Sequence, residues 1–321
     1  MHVNRGFLFW GLGFVTAGLV ALAIQSGYLD RTVMAGAWRL WPLLLVALGV
    51  SLILSRTPFA LLGTVLAAVV LGAGVGTVIA VGPGFAADCG DSSPASLQGH
   101  SGSLGTSASL DWRLDCGTLD VGMSQASTWQ ASVGTTGTDA PSVDGGTDQL
   151  DIASANQRGG FFLDHDRERW VVKLPGATTY DAQIHVNASK ATMNLTGAKF
   201  SALSLQPNAA DILINLDDAS VEGFDLQLNA GSLSIVASAG TALSGTIQMN
   251  AGSVQLCAPS DAGLRITASG TAFGTNLGDT DLTRSGDTWE STGYAQSAHQ
   301  VTLTVHGNAA SFDLNPPGGC Q

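Results

Sequence analysis

Long uncharged stretches dominate the first 87 residues, and polar positions are confined to short breaks between them. The uncharged runs are residues 6–29, 40–55 and 57–87. Because a helix of roughly 20 apolar residues crosses a bilayer, this pattern predicts a membrane region over residues 1–87 with three spans. The predicted spans are residues 6–25, 38–55 and 59–81, each to within about two residues. Arg39 and Arg56 flank the short second run and can reach the headgroups, where Trp38 and Trp41 also fit.

The first run has one alternative interpretation, a cleaved signal peptide. Arg5 precedes the run, and Ala21-Leu-Ala23 has the small-residue spacing of a cleavage site. The run is long for a signal peptide, and two further runs follow it, so we favour three spans. In the third run, Gly72 and Gly76 have the small-xxx-small spacing that allows close helix contact.

From residue 88 onward the pattern changes to alternation with a 21-residue repeat. An asparagine followed by alanine recurs at Asn187, Asn208, Asn229 and Asn250. Aliphatic residues stand three positions before each asparagine: Ile184, Leu205, Leu226 and Ile247. Four positions after each stand Ala191, Ile212, Leu233 and Val254, and six after stand Met193, Ile214, Ile235 and Leu256. The two-residue spacing of the latter rows is the period of a strand with one buried face.

One 21-residue unit is too small to bury its own apolar face, whereas stacked units cover one another. The repeat therefore predicts an all-β domain over residues 88–321, built as a β-solenoid or a sheet stack of similar periodicity. A further copy is expected at 307–314 and a degenerate one at 119–122. Residues 270–294 depart from the pattern and are expected to form a hairpin.

The repeated asparagines have two interpretations, as ligand-binding amides or as structural residues. Asparagine tolerates left-handed backbone geometry at corners, and its amide can bond to the turn backbone. When it recurs at one position of stacked units, neighbouring amides can also bond one another in a ladder. We favour the ladder.

Charge and cysteine content separate the two halves of the chain. Residues 1–87 carry four Arg and one Asp, whereas the remainder carries nine Lys+Arg against 24 Asp+Glu, a net of −15. This acidic half argues against a nucleic-acid partner, since phosphate binding requires Lys and Arg.

The cysteines are Cys89, Cys116, Cys257 and Cys320. They suit two disulfides in an oxidising compartment, and of the three pairings we prefer Cys89–Cys116 with Cys257–Cys320 over unpaired thiols.

Polar clusters that could support chemistry are few, and we predict no catalytic, cofactor or metal site. Asp164, His165 and Asp166 could ligate a metal, but neighbouring strand residues point to opposite faces. The pairs Asp217–Asp218 and Asp279/Asp281 stand in polar turns, where carboxylates are readily solvated. The tryptophans Trp112, Trp129, Trp170 and Trp289 could form a sugar platform, although such residues more often cap a core.

Two segments resemble known families. Arg5-Gly6-Phe7, the glycine-rich first run and Trp41-Pro42-Leu43-Leu44 resemble the membrane region of Lia-type envelope-stress proteins, the LiaI/LiaF-like family. The strand-Asn-Ala-Gly-strand repeats, with Trp289 and Tyr294 ahead of the last strand, look like the bacterial toast-rack or adhesin-type β-repeat domain. Lia-type regions often have four spans where three are visible here, and the cysteines match no motif of either family.

The resemblance implies a non-enzymatic, multi-pass protein of the bacterial cell membrane. Its implied role is sensing or regulating envelope stress through membrane or envelope protein partners, and the alternative is an adhesive module that binds wall polymers or itself as a homo-oligomer. The cysteines and the Ser/Thr-rich composition favour an extracytoplasmic C-terminal domain. An enzyme would need a clustered site that the sequence does not display.

Overall fold

The computed structural model describes residues 5–25, 63, 65, 67–72, 96–155 and 167–320. The chain divides into two compact units, Met1–Ala86 and Ala87–Gln321. The described part of the first unit is helical, and the second unit is made almost wholly of β-strands.

Small residues bring the helical segments of the first unit together. Helix α1 spans Arg5–Gln25, and residues 67–72 belong to a second helical segment. A Cβ added to Gly72 would collide with the carbonyl oxygen of Gly13, so the two backbones touch at this point. Gly72 thus takes part in the close helix contact expected from its spacing, whereas Gly76 lies outside the described residues.

Helix α1 also carries exposed apolar side chains. Trp10, Phe14, Leu19 and Leu22 are each more than three-fifths exposed. Within the described ranges, no helix satisfies the length and hydropathy requirements of a membrane span. The span predicted at 38–55 lies outside those ranges, as does most of the one at 59–81, so the three spans stay a prediction.

Among its described residues the second unit has twenty strands, whose first ten lie between residues 98 and 215. They are β1 Gln98–Ser103, β2 Ser107–Leu114, β3 Gly117–Ser124, β4 Thr128–Thr135, β5 Ser142–Gly145, β6 Gln149–Ala153, β7 Glu168–Pro175, β8 Thr179–Asn187, β9 Ser189–Asn194 and β10 Lys199–Asn215. The remainder are β11 Ser220–Leu228, β12 Ala230–Val236, β13 Ala242–Met249, β14 Gly252–Cys257, β15 Gly263–Thr271, β16 Gly274–Thr275, β17 Thr283–Ser285, β18 Thr288–Glu290, β19 Gln300–Asn308 and β20 Ala310–Leu314.

These strands build two parallel layers joined by corners. Among the described residues, layer A pairs in the order β6, β2, β8, β10, β11, β13, β19 and β15. Layer B pairs in the order β7, β3, β9, β10, β12, β14, β20 and β16. Each rung is one layer A strand followed by one layer B strand, and the long β10 serves both. The predicted sheet stack with a 21-residue period is therefore present.

Apolar rows from both layers form one core. Leu205 pairs with Ile184 and Leu226 in layer A, and Ile212 pairs with Ala191 and Leu233 in layer B. All of these rows are buried in a single hydrophobic cluster.

The expected degenerate copy at 119–122 is part of β3 and the copy at 307–314 forms the corner of β19 and β20. Within 270–294, β17 and β18 form the expected hairpin.

The ends of the stack are covered, which protects open strand edges from pairing with other chains. At one end β4 pairs antiparallel with β7, β1 with β4, and β5 with β6. At the other end β18 pairs antiparallel with β15. In layer B the side chain of Asn276 extends the pairing of β16 with β20, because it donates to the carbonyl of Leu314 and accepts from its N–H, both at 2.8 Å.

Candidate functional site

The corners between the layers adopt two backbone conformations, which differ in the residue that has positive φ. After Asn187, Asn208 and Asn308 the next residue, an alanine, has φ between 41° and 51°. After Asn229 and Asn250 the positive φ moves one residue further, to a glycine at 115° or 118°. The asparagines of the repeat are not among the residues with positive φ, so our expectation that asparagine supplies the left-handed geometry is wrong. Alanine or glycine supplies it.

The asparagine amides instead form a chain of hydrogen bonds along the corner, which we call the amide ladder. Asn208 Nδ2 donates to Asn187 Oδ1 and Asn250 Nδ2 donates to Asn229 Oδ1, both at 2.7 Å. Asn229 Nδ2 donates to Asn208 Oδ1 between them. Asn187 Nδ2 donates to the carboxylate of Asp115 at 3.1 Å, so an acceptor without a donor group ends the ladder. Sequence reasoning missed Asp115 because it stands outside the 21-residue spacing.

The ladder leads to a stability prediction for Asn229→Ala. This substitution removes one donor and one acceptor at once, so Asn208 Oδ1 and Asn250 Nδ2 lose their ladder partner. Because the ladder is partly exposed and water can replace these bonds, we expect a loss of about 1 kcal/mol in the free energy of unfolding. Urea unfolding of the two proteins measures it.

Asn308→Ala is the matched control for that experiment. Asn308 stands at the same position of a corner, but its side chain forms no hydrogen bond with any residue in the described ranges. We expect this variant to match the wild type. Equal losses in both variants would show that corner asparagines act through something other than the ladder.

The cysteines of the second unit support the C-terminal segment. Cys257 at the end of β14 is bonded to Cys320, with their Cα atoms 5.9 Å apart. Cys116 is also disulfide-bonded, and Cys89 lies outside the described residues. The Cys257–Cys320 pairing expected from the sequence is therefore present.

Glu168 is the most deeply buried acid in the described part of the chain, at 1% exposure. Its carboxylate accepts hydrogen bonds from Ser154 Oγ and Trp170 Nε1 at 2.9 Å and from the Ala155 N–H at 3.2 Å. Burial raises the pKa of Glu168 above its ordinary value, although these hydrogen bonds act in the opposite direction. In the sequence it stood among solvated charges, and nothing in its spacing distinguished it.

The raised pKa predicts a specific pH dependence for Glu168→Gln. A carboxyl that holds its proton more tightly when folded contributes stability below its ordinary pKa of 4.5. That contribution is lost as pH rises through the folded pKa. Glutamine keeps an acceptor oxygen and does not ionise. We therefore expect the variant to lose less unfolding free energy than the wild type between about pH 4.5 and pH 7.

Urea unfolding at both pH values gives the change in unfolding free energy with pH for each protein. Subtracting the wild-type change from the variant change cancels the contributions of the other titrating groups. Glu222→Gln, on an exposed carboxyl of β11, is the control and should follow the wild type. A Glu168→Gln variant that follows the wild-type pH dependence would contradict the assignment of this group as a destabilised buried acid.

The remaining polar candidates do not converge. Asp164, His165 and Asp166 lie outside the described residues. Asp218 has φ of 55° and accepts a hydrogen bond from Ser238 Oγ at 2.9 Å, so the Asp217–Asp218 pair belongs to a turn. Asp279 and Asp281 are exposed beside the turn Leu277–Asp279. In the described ranges, no group of three or more His, Cys, Asp or Glu side chains is placed to hold a metal ion.

The four tryptophans do not form a surface platform. Trp112, Trp129, Trp170 and Trp289 are between 0% and 6% exposed and belong to the core cluster. Trp112 Nε1 donates to the carbonyl of Leu150 at 3.1 Å. The core-capping interpretation of these residues is the one that the structure supports.

The outer face of layer A carries polar side chains in rows. Gln227 pairs in register with Gln248, which pairs with His306. A neighbouring row brings three aspartates together on adjacent strands: Asp144, Asp151 and Asp111. Burial first, and then the charges of the other two aspartates, raise the pKa of Asp151. The three aspartates do not follow the 21-residue spacing, so only the strand register reveals that they are adjacent.

Family comparisons agree with this architecture. Residues 103–236 match the model of the N-terminal domain of toast_rack, and residues 8–53 match the model of the LiaI-LiaF-like transmembrane region. The chain is thus similar to a LiaI-LiaF-like transmembrane region over residues 8–53 and to the N-terminal domain of toast_rack over residues 103–236. Both resemblances expected from the sequence are confirmed. The toast-rack match ends with β12, while the Asn-Ala corners continue at Asn250 and Asn308.

Solved structures similar to the toast-rack domain carry adhesin names. One is a "putative cell adhesion protein" from Clostridium sporogenes, with 12% identity and a TM-score of 0.46, covering 68% of this chain and 98% of that one. Another is a "putative adhesin" from Bacteroides fragilis, with 9% identity and a TM-score of 0.25, covering 68% and 97%. No curated protein matches the chain. The two matched families are not enzyme families, and the LiaI-LiaF-like match associates the chain with a membrane.

Proposed function

We propose that this protein is a non-enzymatic, membrane-anchored component of the bacterial cell envelope that senses or regulates envelope stress through protein–protein contacts. The observation that carries the proposal is the joining of a LiaI-LiaF-like membrane region to a toast-rack domain in one chain. The membrane region would contact partner membrane proteins. The toast-rack domain, with its covered ends and hydrogen-bonded corners, would present a rigid surface to the envelope.

The proposed topology has three spans, at residues 6–25, 38–55 and 59–81 to within about two residues, and an extracytoplasmic C-terminal domain. The Cys257–Cys320 disulfide supports it, because disulfides persist in oxidising compartments. A C-terminal epitope tag and external protease test it on intact cells. Removal of the tag, together with oxidised cysteines, is the expected result; a protected tag with free thiols would place the domain on the other side.

The regulatory role is tested by deletion. Cells that lack the protein are challenged with wall-active antibiotics while a reporter of the envelope-stress response is recorded. We expect a changed response threshold, restored by the wild-type chain. An unchanged response would reject the regulatory role while leaving the membrane topology open to its own test.

An adhesive role is the second candidate, and the polar rows on the outer face of layer A favour it. Stacked-repeat proteins often bind through such extended faces. This role predicts self-association of the protein or its retention on isolated cell walls. A protein that stays monomeric in sedimentation experiments and does not bind walls would count against adhesion.

A further inference from the structure

Gly122 creates a notch in the outer face of layer B. It lies in register between Lys173 of β7 and Asn194 of β9, where every neighbouring strand presents a side chain. The Lys173 side chain lies across the gap, since a Cβ added to Gly122 would be 2.8 Å from Nζ and 3.5 Å from Cδ. The surrounding space is a cleft of about 510 Å³, within the size range of small-ligand sites.

The charge of this face is opposite to that of the domain. Arg169, Lys173 and Lys190 are exposed on β7 and β9, and they are three of the nine Lys and Arg residues that follow residue 87. On β3, β7 and β9, Asp120 is the one exposed acid. The outer face of these three strands therefore carries a net charge of +2, with Asp211 of β10 in register beside Lys190 at its border, in a region of the chain whose net charge is −15. An acidic domain with a local cationic face will attract anions there and repel them elsewhere.

The polar groups in the cleft are available to a ligand. Within the described residues, Lys173 Nζ forms no hydrogen bond or ion pair, and neither do the Thr192 hydroxyl and the Gln125 amide. Asn194 uses its Oδ1 to accept two hydrogen bonds from Thr196, which leaves its Nδ2 donors directed elsewhere. The cleft thus offers an ammonium, amides and a hydroxyl, together with the Asp120 carboxylate as an acceptor.

We propose that the glycine notch binds an anionic glycan, with Lys173 contacting a carboxylate or phosphate and Asp120, Thr192 and Asn194 contacting sugar hydroxyls. Arg169 lies four residues from Lys173 on β7, roughly 13 Å away, and Lys190 lies two strands from Arg169, roughly 10 Å away. Cations at such spacing suit a polymer with repeated charges better than a single small anion. This inference goes beyond the regulatory role proposed above.

A glycan fits the cleft better than a membrane surface does. Protein segments that bind anionic lipid headgroups typically carry clusters of about four to eight basic residues. Here only three basic residues are present, and the Asp120 carboxylate, the Asn194 amide and the Thr192 hydroxyl line the same cleft as the Lys173 ammonium. Those groups match the alternating donors and acceptors of sugar hydroxyls.

Binding of an oligogalacturonide by the full-length chain in detergent tests the proposal, with the fully methyl-esterified oligomer of equal length as the neutral probe. We expect the acidic oligomer to bind, the ester to bind at least tenfold more weakly, and the affinity to fall with salt. Lys173→Gln should weaken binding by about tenfold, because it removes a charged hydrogen-bond donor. Lys199→Gln, on an exposed lysine of layer A, should leave the affinity unchanged.

Gly122→Ser separates the notch from its charge. The three atoms nearest to an added Cβ all belong to the flexible end of the Lys173 side chain, so we expect the fold to tolerate the serine while the cleft is filled. Weaker binding by Gly122→Ser supports the notch, and wild-type affinity overturns it. The proposal is also overturned by equal binding of acid and ester, by equal effects of Lys173→Gln and Lys199→Gln, or by binding only to phosphatidylglycerol vesicles or inorganic polyphosphate. None of these outcomes affects the deletion test of the regulatory role.

Discussion

Gly231→Ala is expected to destabilise the toast-rack domain by about 3 kcal/mol, which corresponds to a melting temperature lower by roughly 6 °C or more. Gly231 has φ of 115°, a conformation that residues with a Cβ rarely adopt. A Cβ at this position would also collide with the carbonyl oxygen of Ala210 on the preceding rung. The collision involves backbone in the middle of the stack, so rotation of a side chain cannot relieve it. Thermal unfolding followed by circular dichroism measures the loss.

Ala209→Gly is the informative partner of that variant. Ala209 stands one residue after its asparagine with φ of 51°, so glycine there removes a left-handed alanine. Relief of about 1–2 kcal/mol is offset by the extra backbone entropy of glycine, about 0.5–1 kcal/mol. We expect the stability to rise by between zero and about 1.5 kcal/mol. Similar losses in both variants would mean that the two corner types do not differ in the way described above.

Removal of the Cys257–Cys320 disulfide is expected to have the second large effect. The bond links residues separated by 63 positions, and closing a loop of that length restricts the unfolded chain by about 4 kcal/mol in the chain-entropy model. The double variant Cys257→Ala/Cys320→Ala should lose about 2–4 kcal/mol of unfolding free energy. Urea unfolding without reductant measures this loss.

Asn315 limits the damage in that variant. Its side chain donates to the carbonyl of Ala258 and accepts from its N–H, both at 2.9 Å, so the segment after β20 stays attached next to the missing bond. Adding reductant to the double variant then isolates the contribution of the disulfide at Cys116. A double variant as stable as the wild type would show that these local hydrogen bonds, and not the disulfide, determine the position of the segment.

The repeat could be predicted from the sequence because one position of the stack is occupied by one residue type. Asn187, Asn208, Asn229 and Asn250 recur at the spacing of a rung, and the rows around them fix which face of each strand is buried. The corner conformations could not be predicted as easily. Asn-Ala-Ala and Asn-Ala-Gly look like variants of one motif, yet they place the positive φ on different residues.

The outer rungs were harder to predict because their strands pair out of chain order. Strand β2 lies between β6 and β8, so Asp111 pairs with Asp151, 40 positions later in the chain. This separation does not match the 21-residue repeat, so the sequence does not indicate the contact. The same holds for the glycine notch, since Lys173, Gly122 and Asn194 come from three separate strands. Sequence periodicity describes the middle of the stack, whereas long-range register determines its ends and its cleft.

The insertion of β19 and β20 has a consequence for biogenesis. These strands come after β15 and β16 in the chain but pair between that rung and the rung of β13 and β14. During synthesis one edge of β14 stays unpaired, and β15 lacks its neighbouring strand until residues 300–314 have been synthesised. A stalled or truncated product therefore exposes two unpaired edges at once, which makes it a target for aggregation or quality-control proteolysis. The stack can therefore be completed only after β19 and β20 have been synthesised.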